Sequence, residues 1–418
     1  MATPEVATAA DELVSARPTP RRIRRVAFLT PEFVTERRGD GGVGNYVLKM
    51  ATALGEQGVE AEVFVKSEHA GIVDLQGLRV ERVARSRSWI ARAIVRVLVP
   101  FMGRRAAVLL HLIDAKRLAR ALERRHRERP FDIVQSANHE LSGWFVRRRP
   151  GRVHMIRIST SRLLYDRAYG DGHAAISRFV EALDVRAMRR ADRAYAPSSF
   201  LASHFNRVHD ANVAVVRPPA TLAAEPAAEL PWPLPPRYLV HFGQLGVRKG
   251  TNLLAAALPR AWDEAPDLTM VWAGALSDDE LARFRASWGA ARSERVVALG
   301  VLDRPTLYRV VAGAVASVLP STVDNLPNTV IESLALRVPV IGSAGASVDE
   351  LVEDRRTGTL VPLFDDAALA AAMVAAWRDE APWSGTPMPP SGRLAELEPT
   401  EAVRRFLALA GAAIQRDA

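Results

Sequence analysis

Three segments of this 418-residue chain carry residue types suited to a phosphorylated ligand. The first is Gly39-Asp40-Gly41-Gly42-Val43-Gly44-Asn45, between the strand-like run Arg25–Phe33 and a helix expected from about Val43 to Gln57. Glycines let a ligand approach the backbone, and the first N–H groups of a helix are free to meet an anion. Alone, such a loop signals a nucleotide or phosphate nearby, or only a tight β–α turn. The second segment is His241–Gly250, HFGQLGVRKG. Here a strand runs into Gly243 and Gln244, then into the cations Arg248 and Lys249, then into a helix. Cations at the carboxyl end of a parallel strand face the crevice where such sheets bind ligands. Lys249 offers a compact charge and Arg248 a planar fork. Positive charge at a helix start opposes its dipole, which favours a bound anion over a merely solvated pair. The third segment is Pro320–Glu332, PSTVDNLPNTVIE. Asp324 is expected on a loop and Glu332 in the first helical turn, facing one pocket, where the two acids would hold ribose and sugar hydroxyls by charge-assisted hydrogen bonds. The simpler alternative is a helix cap followed by an acid on the helix dipole. Another glycine-rich turn, Gly342–Gly345, follows the next strand.

Some chemistries are excluded. The chain has no cysteine, so there is no disulfide, thiolate metal site or cysteine nucleophile. No two aspartates stand one residue apart, which removes the Asp-x-Asp clamp for a divalent ion, and there is no GxxxxGK[ST] phosphate loop. No metal and no cofactor are therefore expected. The net charge of +9 invites nucleic acid or an anionic membrane as partner. However, all but four of the 56 basic residues are arginines, a bias that fits genomic composition, and aromatics at 6% give no stacking platform for bases. No nucleic-acid partner is expected.

The elements that must position these residues alternate between strand and helix. Strands are expected at Glu60–Lys66, Asp132–Gln135, Val153–Ile158, Arg193–Ala196 and Val213–Val216, with a helix from Pro197-Ser198-Ser199 into Arg207. After the Pro- and Ala-rich stretch 217–237 the alternation restarts, with strands Tyr238–Phe242, Leu268–Ala273, Val296–Leu299, Ala316–Leu319 and Val338–Ile341 and helices Thr251–Trp262 and Thr329–Leu336. The fold class is α/β: two doubly wound, Rossmann-like domains facing a central cleft. The expected boundaries are a mobile tail over 1–21, an N-terminal Rossmann-like domain over 22–218, a linker over 219–237, a C-terminal Rossmann-like domain over 238–395, and a helix over 396–418 packing back on the first domain. The start of the chain lacks the apolar core of a secretory signal, and no run is long enough for a membrane span, so a cytoplasmic location is expected. Trp89–Arg129 mixes apolar residues with arginines and reads as two amphipathic helices broken near Pro100 and Gly103. Packed helices and peripheral membrane contact are both open for residues 89–129.

At these residues the sequence resembles the retaining glycosyltransferases of family 4, with the glycosyltransferase-B fold. The resemblance spans nearly the whole chain after the tail and is densest from Val240 to Pro362. It rests on an ordered set: GGVG after the first strand, FGQLGVRKG, WAGA, Leu299-Gly300, LPSTVDNLPNTVIESLALRVPVIGS and GASVDELVEDRRTGTLVP. The resemblance implies a nucleotide-diphosphate sugar on the C-terminal half and a small-molecule, glycan or lipid acceptor on the N-terminal half. It implies that Lys249 holds the diphosphate, Glu332 the ribose and Asp324 the transferred sugar. The amides of Asn328, Thr329 and Val330 would meet phosphate or sugar, with Gly41, Gly42, Gly243, Gln244, Arg248 and Asn325 completing the donor site. Asn138, His139, Arg157 and Ser159 would line the acceptor side, although structural or surface roles also suit His139 and His154. Three positions depart from the family pattern: Asp324 replaces a glutamate, Gln244 an arginine, and Ser159 a histidine that faces the sugar. The implied chemistry is transfer with retention, without metal and without a protein nucleophile. The competing readings are a nucleotide-sugar epimerase or disaccharide synthase on the same fold, a family member that binds without transfer, and a basic membrane-surface binding protein.

Overall fold

The apolar runs pair in parallel because most are buried on both faces, which only a sheet covered on both sides by helices allows. The computed structural model describes residues 23–36, 42–86, 93, 96–97, 108–170, 174–222, 225–385, 388–389 and 391–414. The first sheet contains β1 (Arg25–Thr30), β2 (Glu60–Ser67), β3 (Gly71–Leu75), β4 (Leu78–Ala84), β5 (Ile133–Ala137), β6 (Val153–Arg157), β7 (Arg193–Ala196) and β8 (Val213–Val215), in the order β3-β4-β2-β1-β5-β6-β7-β8. The second contains β9 (Leu239–Gln244), β10 (Met270–Ala275), β11 (Val296–Gly300), β12 (Ser317–Leu319), β13 (Val340–Ala344) and β14 (Gly358–Pro362), in the order β11-β10-β9-β12-β13-β14. All its pairs are parallel. In each sheet the chain winds outward one way and returns to wind the other. The direction reverses between β1 and β5 and between β9 and β12, so crevices open beyond the carboxyl ends of those strands.

The β3–β4 hairpin was not among the expected strands. Its two-residue turn, Gln76-Gly77, is closed by Gly77 N–H donating to Asp74 Oδ1 at 2.9 Å. β14 and the helices Arg162–Tyr169, Ala174–Arg190, Asp278–Trp288, Arg304–Ala312 and Asp366–Trp377 were also unassigned in the sequence. Of the arginine-rich stretch, Val108–Glu128 is one helix. Its Leu118, Ala121 and Leu122 pack with Leu29, Phe64 and Val134 of the sheet. The breaks expected near Pro100 and Gly103 lie outside the described residues. The helix's arginines find acids: Arg125 meets Glu62 at 3.0 Å and Arg124 pairs with Glu81. The buried Glu62 also takes Arg79 at 3.0 Å and Arg25. Among the described residues no helix is long and apolar enough to cross a membrane.

The Pro-rich stretch lies against the second half. Its Ala220, Leu222, Leu230 and Leu234 pack on the core around Val240, Tyr308 and Leu334. The final helix, Pro399–Ile414, places Val403, Phe406, Ala410 and Ala413 in the core of the first half. Phe406 stacks on Phe28 with centroids 6.5 Å apart and meets the edge of Tyr195 at 6.1 Å. Phe406→Ala leaves a large cavity, so it should cost about 3–5 kcal/mol of stability in the first half, read as a lower denaturant midpoint; an unchanged midpoint would mean that the helix adds little to that core.

Candidate functional site

The residues singled out in the second half gather at the β9/β12 reversal. His241, fully buried on β9, presents Nδ1 to the Val318 carbonyl at 2.7 Å and Nε2 to Thr251 Oγ1 at 2.9 Å. The carbonyl can only accept, so Nδ1 carries the proton and Thr251 donates to Nε2. Burial holds this imidazole down to about 4, which keeps it neutral. Thr251 Oγ1 in turn accepts from Gly246 N–H at 2.8 Å, fixing the turn that carries Arg248 and Lys249. Gly250 has φ +73°, and a Cβ there would stand 1.9 Å from the Pro320 carbonyl oxygen. At Gly243, φ +106°, a Cβ would lie 2.8 Å from Thr329 Cγ2, so the end of β9 touches the start of helix Asn328–Ala335.

Lys249 Nζ donates to Asp324 Oδ2 at 2.6 Å, with both side chains largely covered. Asp324 Oδ1 accepts from Asn325 N–H at 2.9 Å, and Ser347 Oγ donates to the Asp324 carbonyl at 3.0 Å. Glu332 is the fifth residue of its helix and so stands on the second turn, one turn beyond the expected position, because the helix already starts at Asn328. It does not share partners with Asp324: its Oε1 takes Arg304 at 2.5 Å and the Tyr308 hydroxyl at 3.2 Å. Burial pushes the Glu332 carboxyl up, against the pull of Arg304, Tyr308, Lys49 and Lys249. The helix is capped by Pro327, which offers no side-chain acceptor. Among the described residues, the N–H groups of Asn328 and Thr329 have no backbone partner, whereas Val330 N–H donates to the Pro327 carbonyl at 3.1 Å and is not free for a ligand.

The Arg248 side chain reaches the first half. It donates to Gln244 Oε1 at 2.9 Å and lies over the ring of Tyr165, 5.3 Å from its centroid, on the first half. Asn325 also reaches across, donating to the Ser159 carbonyl and, at 3.4 Å, to the Tyr165 hydroxyl. On the first half, Asn138 is buried with its amide committed: Nδ2 donates to the Thr160 carbonyl at 2.9 Å and Oδ1 accepts from Ser159 N–H at 2.8 Å. Arg157 donates to Ser159 Oγ at 2.7 Å and stacks 3.7 Å over the Tyr46 ring. His139 is half-buried, and burial, Arg162 and His111 hold it down to about 4. His154 is buried and pairs with Ser136 Oγ at 2.8 Å. Gly42 opens the first helix with space around it, and Gly41 lies outside the described residues.

Sequence reasoning missed Arg304, Tyr308, Tyr165, Ser347 and Lys49. Lys49 sits on helix Gly42–Glu56, where burial lowers its ammonium while the Glu332 charge from the other half works against that shift. Its rarity, as one of four lysines, was the one signal in the sequence.

Two doubly wound sheets, parallel throughout except for the β3–β4 hairpin, whose reversal points carry the ligand-type residues define the glycosyltransferase-B architecture. Residues 41–220 match the family model described as glycosyl transferase 4-like domain, and residues 236–379 match the model described as glycosyl transferases group 1. The chain belongs to the family 4 type of glycosyltransferases. It is 28% identical to D-inositol 3-phosphate glycosyltransferase of Salinispora tropica, over 91% of this chain and 80% of that one. It is 29% identical to the lipopolysaccharide core biosynthesis mannosyltransferase LpcC of Rhizobium leguminosarum bv. viciae, over 53% of this chain and 62% of that one. Sucrose-phosphate synthase from Thermosynechococcus elongatus aligns with a TM-score of 0.67 at 18% identity, covering 94% of this chain and 98% of that one. HepE of Anabaena in complex with UDP-glucose aligns at 0.63 and 15% identity, covering 93% of this chain and 99% of that one. At these identities the two structures speak for the fold alone.

The raised Glu332 carboxyl has a sign that can be checked. The folded chain holds its proton more tightly than the unfolded chain, so stability is lost as pH rises above the ordinary value of 4.5. Glu332→Gln lacks this loss. The melting temperature of the variant minus that of the native chain should therefore grow from pH 4.5 upward; a flat difference would show that Arg304 and the lysines offset the burial fully.

Proposed function

We propose that the chain moves a sugar from a nucleotide-diphosphate donor to an acceptor held by the first half, with retention at the anomeric carbon and without a metal ion in the reaction. The observation that carries this reading is the meeting of Lys249, Asp324 and the uncapped start of helix Asn328–Ala335 at the β9/β12 reversal. A diphosphate entering there offers Lys249 and the Asn328 and Thr329 amides a fuller anion than Asp324 does. They would stabilise the charge that grows on the leaving phosphate as the sugar takes on oxocarbenium character. Asp324, freed from Lys249, would turn to the sugar hydroxyls. Glu332, already oriented by Arg304 and Tyr308, would accept from the ribose. The leaving phosphate oxygen would take the acceptor proton, so no protein nucleophile is required. Arg248, held by Gln244 over Tyr165, stands next to Lys249 on the same turn and would add a second cation for the diphosphate.

For the acceptor, the relatives that span most of the chain are named D-inositol 3-phosphate glycosyltransferases. Lys66 pairs with Glu140 near the carboxyl ends of β2 and β5, and Arg162, Asp114 and the imidazoles of His111 and His139, both held down to about 4, lie close by. Lys66 and Arg162, set beside imidazoles that can donate hydrogen bonds, together with the names of those relatives support a phosphorylated polyol acceptor. The membrane reading finds no support in helix Val108–Glu128, whose apolar face is packed, and it rests on residues 87–107, most of which lie outside the described set.

Thermal shift with UDP-, GDP-, ADP- and dTDP-sugars should single out one nucleotide. With that donor, Lys249→Ala should lower kcat about a hundredfold or more, and Glu332→Ala should raise the donor KM about tenfold or more; near-normal turnover in both would remove the site assignment. The anomeric configuration of the product, read by NMR, should match that of the donor. Adding Mg²⁺ or Mn²⁺ to chelator-treated enzyme should not raise the rate. A phosphorylated acceptor should have a KM at least tenfold below that of its dephosphorylated form, as expected for charge-assisted hydrogen bonds of about 1.5–3 kcal/mol.

A further inference from the structure

Helices Ala174–Arg190 and Ser199–His209 bring together three residues that the donor and acceptor sites leave unused: Glu181, His204 and His209. Glu181 Oε1 stands 2.8 Å from His204 Nε2 and 2.8 Å from His209 Nε2. One ligand atom from each residue lies within 4.8 Å of the other two. Glu181 and His204 are buried, and His209 is half-buried. The remaining Glu181 oxygen, Oε2, accepts from the Ser161 hydroxyl, whose oxygen is also 3.2 Å from His204 Nε2. One turn further along the same helix, Asp184 is 6% exposed and its Oδ1 has no hydrogen-bond partner. Among the described residues neither acid has a lysine or arginine within ion-pair distance: Glu181 pairs with the two imidazoles, and Arg162 acts on Asp184 only from further away. Two acids a turn apart in a covered site are costly without positive charge close by.

Two imidazole nitrogens and a carboxylate oxygen around one point form a donor set suited to a borderline transition metal rather than to Mg²⁺ or Ca²⁺, which take oxygen ligands. We propose that Glu181, His204 and His209 hold a zinc-type divalent ion, one atom each, with Ser161 Oγ or a water in the fourth position. Around Zn²⁺, neighbouring ligand atoms stand roughly 3.3 Å apart, so the two short contacts open by about 0.5 Å on binding. The ion would be structural. It would tie the two helices to each other and, through Ser161, to the start of helix Arg162–Tyr169, where Ser161 Oγ also accepts from Leu164 N–H at 3.2 Å. That helix carries Tyr165, the residue against which Arg248 and Asn325 rest. The site is independent of the proposed transfer chemistry, which uses none of its ligands.

The test uses the full-length chain without a histidine tag. Elemental analysis of protein purified without chelator, and titration of chelator-stripped protein with Zn²⁺ or Co²⁺, should both give one ion per chain. Bound Co²⁺ should show the intense visible bands of a tetrahedral site, and either ion should raise the melting temperature. Glu181→Gln keeps side-chain volume and an acceptor for Ser161, so it guards against a variant that merely fails to fold. It and His209→Ala should each weaken binding by more than the roughly tenfold seen when a ligand's supporting partner is lost. Stripped protein that takes up neither ion at micromolar concentrations would overturn the proposal. So would metal held equally tightly by both variants, since the ion would then sit elsewhere.

Discussion

The second half depends on how closely β9 and β12 approach each other. His241 spans the two strands and, through Thr251, also grips the turn that follows β9. Gly250 lets that turn settle against Pro320, at a separation where a side chain would collide with the backbone. Lys249, lying between these two fixed points, is delivered to Asp324 with little freedom of its own. A buried neutral imidazole suits this role because it can bridge a carbonyl and a hydroxyl without bringing in a charge. The positions of the cation, the acid and the helix start all follow from this one packed corner.

The two halves meet through specific polar contacts around that corner. Arg248 and Asn325 reach Tyr165 and Ser159, while Glu350 accepts from the N–H groups of Ser199 and Phe200 at 2.7 Å each and pairs with Arg217 at 2.6 Å. Glu350 thus serves as a cap for a helix of the opposite half, an interaction favoured by that helix's dipole. Hydrogen bonds of this kind hold an orientation yet exchange with water at modest cost, as suits domains that must admit and release substrates.

The arginine excess takes on a different meaning in three dimensions. In composition it resembled an electrostatic footprint for a polyanion. In the fold, Arg25, Arg79 and Arg125 converge on the buried Glu62, and Arg149 and Arg152 converge on Glu123. These pairs hold strands to helices. These five arginines are thus tied to acids of the first half.

The α/β architecture was legible in the sequence alone. Period-2 and buried apolar runs specify strands, and glycines with cations after one strand and acids after another mark the carboxyl edge of a doubly wound sheet. These are local signals, so they survive without coordinates. The partner of each residue was decided only by tertiary structure, because partnership depends on long-range packing. Glu332 is oriented by Arg304 and Tyr308, and Arg248 reaches Gln244 and Tyr165, partners that no spacing in the sequence announces. Asn138 ties the loop after β5 to the loop after β6, Arg157 holds Ser159, and the Pro-rich stretch lies on the second half. The cluster of Glu181, His204 and His209 left no trace in the spacing. Its histidines are five residues apart and its acid is on another helix, so only the packing of the two helices brings the three together.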